Sequence, residues 1–63
     1  MPLSTDANER LYDALAEAID RVGPEHEALF LTKLALLLAN RLGEEDAVNR
    51  ALAAALREIG PPP

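Results

Sequence analysis

The chain has no cysteine and no tryptophan, and it carries one histidine, one tyrosine and one phenylalanine. Without cysteine there is no disulfide framework, no thiolate nucleophile and no cysteine-based zinc site. Residues that favour strands are nearly as scarce. Val, Ile and Thr together fill six positions, which argues against sheet. Long apolar runs are missing too. The most apolar stretch, Ala28 to Ala39, covers about twelve residues interrupted by Thr32 and Lys33, whereas a membrane-spanning helix needs roughly 20. It reads as a helix of a protein core. The first ten residues, MPLSTDANER, have neither the basic start nor the apolar run of a secretory signal, so a cytoplasmic location is expected.

Alanine and leucine dominate, with twelve residues each among 63. Both are strong helix formers, and an all-α fold follows. A chain of 6.8 kDa supports one small domain, which at this size buries only roughly 60% of the surface its unfolded form exposes. Eleven acidic residues against six basic ones leave a net charge of -5. Such a surface repels phosphate backbones and anionic lipid headgroups, so neither nucleic acid nor a membrane is an expected partner.

Helix breakers divide the chain into three. Ser4, Thr5 and Asp6 are good N-capping types ahead of an apolar stripe at Leu11, Tyr12, Leu15, Ala18, Ile19 and Val22. Gly23 can close that helix at positive φ, and Pro24 suits the first turn of the next, which is predicted to run from about Pro24 to Leu42. Gly43 ends it. Glu44, Glu45 and Asp46 then supply acidic charge where the helix dipole favours it, and Val48, Ala51, Leu52, Ala55, Leu56 and Ile59 form the buried stripe of a third helix. Gly60 and the three prolines after it stop this helix and leave a short extended tail. The expected architecture is a three-helix bundle, or a helical hairpin plus a third helix, with short loops at Gly23-Pro24 and Gly43 and flexible ends at 1–4 and 60–63. Glu17 with Arg21, and Asp46 with Arg50, sit four residues apart as candidate ion pairs.

Candidate chemistry is thin. His26 in HEALF matches the opening of a zinc-protease helix, but the second histidine of that motif is replaced by Phe30. With one histidine and no cysteine a closed zinc site cannot be assembled within one chain. The acidic trio Glu44, Glu45 and Asp46 lacks the alternating spacing and closing glutamate of a calcium loop and reads as helix capping. Ser4, Thr5, Thr32 and Tyr12 form no recognisable nucleophile arrangement with the lone histidine, and no attachment serine of an acyl carrier is present. No enzyme activity, metal or cofactor is expected. Ala39 and Gly43 have a separation common around the turn of a helix-turn-helix. The next apolar position, Val48, comes one residue early, and the would-be reading helix opens with three acids. DNA binding is therefore the weakest of the alternatives.

The middle helix exceeds what a plain bundle requires. At about 100° per residue, Phe30, Leu31, Leu34, Ala35, Leu37, Leu38 and Leu42 share one broad face, which is the predicted core. Leu29, Lys33, Leu36 and Asn40 form a narrow strip on the other side, with the spacing of a packed helical seam. Either the first and third helices cover the two faces, or one strip is left for another chain. In the second case Asn40 would fix the register.

The segment Lys33 to Gly43, KLALLLANRLG, resembles the central signature of a family of short bacterial proteins, domain of unknown function family 2783. There a leucine-rich run leads into an alanine-asparagine pair and a glycine. Tyr12 in LYDAL is similar to an early aromatic of that family, whereas Arg41 stands where a histidine is expected and Glu44 where an aspartate is. The resemblance implies a helical fold and no assigned activity. The expected function is a non-enzymatic helical interaction module that self-associates through the middle helix as a homodimer, with Leu29, Lys33, Leu36 and Asn40 as the seam. The alternative is a small accessory subunit on a larger enzyme or transporter.

Overall fold

Three helices and no strand occur among residues 2–60, the part of the chain that the structure, a computed structural model, describes. Helix α1 is Thr5–Val22, α2 is Glu27–Leu42 and α3 is Glu45–Ile59. The fold is all-α, as composition predicts. Met1 and the expected proline tail, 61–63, lie outside the described residues.

Capping explains where each helix begins and ends. Ser4 is extended, and its hydroxyl accepts the Ala7 amide at 3.1 Å. The Ser4 carbonyl accepts both the backbone amide of Asn8 at 2.9 Å and its side-chain amide at 3.2 Å, so the first turn is held from two directions. At the other end Gly23 has φ 82° and ψ 163°, a region open essentially to glycine alone. There its amide bonds the Ile19 carbonyl at 3.1 Å.

Helix α2 starts three residues later than the sequence predicts. The His26 amide donates to the Gly23 carbonyl at 3.1 Å, closing a turn over Pro24 and Glu25. Phe30 then donates to the His26 carbonyl at 2.9 Å. Proline fits a first helical turn, but it fits the second position of a tight turn equally well, and the His26–Gly23 hydrogen bond marks the turn. His26 consequently precedes α2 rather than lying in its first turn.

At α3 the capping residue is Glu44, whose carboxylate accepts the amides of Asp46 at 3.1 Å and Ala47 at 2.9 Å. This capping occupies the same Glu44 carboxylate that draws Arg50, 3.6 Å away. The expected pairs Asp46–Arg50 and Glu17–Arg21 are not formed among the described residues. Arg50 reaches back to the cap instead, and exposed pairs of this kind contribute too little to hold long side chains in one place. Removing the cap has a measurable cost: Glu44→Ala is expected to destabilise the protein by about 1 kcal/mol, read as a lower melting midpoint with lost helicity. Glu44→Gln, which keeps an acceptor but not the charge at the dipole's positive end, should fall between the two. Equal stability of all three proteins would mean that the cap contributes nothing.

The chain divides inside α2 into two compact units, one ending at Lys33 and one beginning at Leu34. In the first, Leu15, Ala18, Ile19 and Val22 of α1 are half-buried along one face at helical spacing, and so is Phe30. In the second, Leu34, Ala39, Ala47, Val48 and Ala54 reach the same level. No described residue of either unit is buried. This corrects the predicted core. Of the broad α2 face, Phe30 and Leu34 are half-buried, while Leu31, Ala35, Leu37, Leu38 and Leu42 are exposed. The predicted α3 stripe fares similarly, for only Val48 is half-buried and Ala51, Leu52, Ala55, Leu56 and Ile59 are exposed. Periodicity identifies which side of a helix is apolar, but a single neighbouring helix covers only a narrow strip of a cylinder roughly 10 Å across.

Candidate interaction surface

Apolar side chains surround α2 on nearly every side, interrupted by Thr32, Lys33, Asn40 and Arg41 after the opening Glu27. A helix with this distribution normally lies inside a large core or a membrane. Here it is exposed, and among the described residues no helix is long and apolar enough to cross a membrane. The seam residues Leu29, Lys33, Leu36 and Asn40 are all exposed, Leu29 at 54% and Leu36 at 60%. Asn40 is already bonded within its own helix, since its side-chain amide donates to the Leu36 carbonyl at 2.8 Å. Exposure alone does not set this strip apart, because Leu38 and Leu42 on the far side of α2 are 57% and 59% exposed.

What distinguishes that far side is shape. In the second unit Ala35, Leu38, Ala39 and Leu42 of α2 line an open groove of about 360 Å³. Its other wall is Val48, Ala51, Leu52 and Ala55 of α3. The two-residue link Gly43-Glu44 leaves the chain no slack, so the helices turn back on each other and the lining residues of both meet along one channel. No charged side chain lines it. Most of these positions belong to the faces that periodicity assigns to a closed core, and the strip with seam spacing lies opposite. The signal that would have found the groove is the alanine spacing, Ala35 and Ala39 on one helix and Ala51 and Ala55 on the next.

The residues considered for chemistry are not brought together. His26 is an exposed turn residue, and the Ser4 hydroxyl is engaged as a cap. Glu44 caps α3, as its sequence position suggests. Among the described residues no three metal-ligating side chains converge.

No family model, curated protein or solved structure matches the chain. The reading of function therefore rests on the surface itself.

Proposed function

We propose that the chain is a non-enzymatic helical interaction module that self-associates through α2. The observation that carries this reading is the exposure of a helix that is apolar around most of its circumference. Covering a leucine that stands in water is worth about 1.5–3 kcal/mol when complete, and α2 presents Leu29, Leu36, Leu37, Leu38 and Leu42 more than half exposed. A second copy brings the same need to the same surface, and a two-fold contact satisfies both at once. The alternative, an accessory subunit that buries α2 on a larger enzyme or transporter, uses the same apolar surface. Membership in domain of unknown function family 2783 remains a proposal resting on Lys33 to Gly43 and brings no activity with it.

Sedimentation equilibrium at micromolar concentration separates the two. The expected result is twice the chain mass. A chain that stays single and melts without cooperativity would turn the reading to the accessory subunit.

A further inference from the structure

Self-association leaves open which side of α2 meets the second copy, and the groove answers this on grounds of shape. Along α2 the lining runs Ala35, Leu38, Ala39, Leu42. Read backwards, α3 repeats it as Ala55, Leu52, Ala51, Val48, with the same spacing of three, one and three residues. The groove is thus floored by alanine at the end far from the Gly43 turn and filled by Leu42 and Val48 at the end near it.

We propose that this groove is the contact between copies, and that two α2–α3 hairpins pair face to face with their turns at opposite ends to form a four-helix bundle. The proposal rests on the self-association reading and specifies its surface. With α2 lying antiparallel on α2 of the second copy and α3 likewise on α3, every large residue of the groove meets an alanine. Ala35 of one copy faces Leu42 of the other, and Leu38 faces Ala39. On α3, Ala51 faces Leu52 and Val48 faces Ala55. Alternating large and small residues across facing positions is what lets layers interdigitate without voids. With the turns at the same end, alanine would instead face alanine and leucine face leucine or valine, leaving gaps in some layers and crowding in others.

Charge points the same way. Residues up to Lys33 carry seven acids and three bases, a net of -4, whereas those from Leu34 carry four acids and three bases, a net of -1. Pairing through the second unit therefore places the least repulsive part of the chain at the contact. Within it, Glu44, Glu45 and Asp46 cluster at the turn against Arg41 and Arg50, a net of -1, while the far end of α3 carries Arg57 beside Glu58 and is neutral. Opposed turns bring the net-acidic end of one copy level with the neutral end of the other, whereas turns at the same end would set two net-acidic ends together.

The test uses the full chain in sedimentation equilibrium. Leu38→Glu places an unpaired carboxylate in each half of the proposed contact and should lower the association constant at least about a hundredfold. Leu36→Glu, on the opposite side of α2, should leave it within a few fold. Ala35→Leu and Leu42→Ala should each weaken association, and the double variant should recover most of it, because leucine again faces alanine. Positions 35 and 42 are two turns apart on one helix and do not touch, so a role confined to the single chain predicts no recovery. Dimerisation that survives Leu38→Glu in a chain of unchanged helicity, or is lost with Leu36→Glu and shows no recovery in the double variant, overturns the groove while leaving self-association intact. A wild-type chain that is monomeric at hundreds of micromolar overturns both.

Discussion

The melting midpoint of the full chain should rise with its concentration, by roughly 5 °C for each tenfold increase. Tenfold in an equilibrium constant is about 1.4 kcal/mol. A dimer of two such chains unfolds with an entropy near 2.1 cal/mol/K per residue, about 0.25 kcal/mol/K in all, and the ratio gives that shift. A hundredfold dilution should therefore lower the midpoint by about 10 °C, accompanied by loss of the helical signal at temperatures where the concentrated sample is intact. The physical reason lies in burial. Helices of 15 to 18 residues are close to the length at which isolated helices are marginal in water, and tertiary packing normally supplies the difference. In the single chain that packing is incomplete: Tyr12, Leu56 and Ile59 are exposed as well as the leucines of α2, Ile59 at 84%. Stability that depends on a second copy follows mass action. A cooperative transition whose midpoint ignores concentration would mean that one copy folds unaided, and self-association would lose its main support.

Local signals were legible in the sequence wherever one residue type has one strong conformational preference. Ser4 caps α1 by accepting a backbone amide, and Gly23, Gly43 and Gly60 all stand at positive φ just past a helix. Pro24 was less legible because its fixed φ suits two different local structures, and the hydrogen bond that decides between them belongs to His26 and Gly23. Long side chains were legible least. Arg50 has acidic neighbours at several helical distances, and its choice of Glu44 over Asp46 depends on where the cap has already drawn the carboxylate. Burial failed for a different reason. The spacing of Leu31, Leu38 and Leu42 does describe an apolar face, but whether a face is covered depends on what packs beside it. Helix α2, apolar on both sides, gave no local cue to which side the chain itself would cover. The seam at Leu29, Lys33, Leu36 and Asn40 and the groove around Ala35, Leu38 and Ala39 are equally apparent from periodicity. Alternation of large and small side chains across two helices separates them: Ala35, Ala39, Ala51 and Ala55 stand in the sequence, but that they line one groove becomes visible only once α3 lies beside α2.

Two glycines allow the fold of the hairpin to be tested apart from its association. Gly43 has φ 71°, and its amide caps α2 by donating to the Ala39 carbonyl at 2.9 Å. A Cβ added there would meet only the Asn40 carbonyl oxygen, at 3.9 Å, and one added at Gly23 would meet nothing within 4 Å. Space is therefore not the obstacle at either position, and the penalty for an L side chain is conformational, about 1–2 kcal/mol at Gly43 and up to about 3 kcal/mol at Gly23, whose φ and ψ are open essentially to glycine alone. For chains of this size each kcal/mol is worth about 4–8 °C, so Gly43→Ala should lower the midpoint by roughly 5–15 °C, and Gly23→Ala by at least as much. Gly43→Asn should recover part of the loss, because asparagine tolerates the left-handed region better than alanine. Association should not follow stability. Gly43 sets the turn that brings Leu42 and Val48 into the same layer of the groove, whereas Gly23 joins α1 to the turn before α2. Measured well below both midpoints, Gly43→Ala should weaken dimerisation markedly more than Gly23→Ala at matched loss of stability. Equal weakening would indicate that dimerisation reports only how much folded chain is present, with no special part for the α2–α3 hairpin.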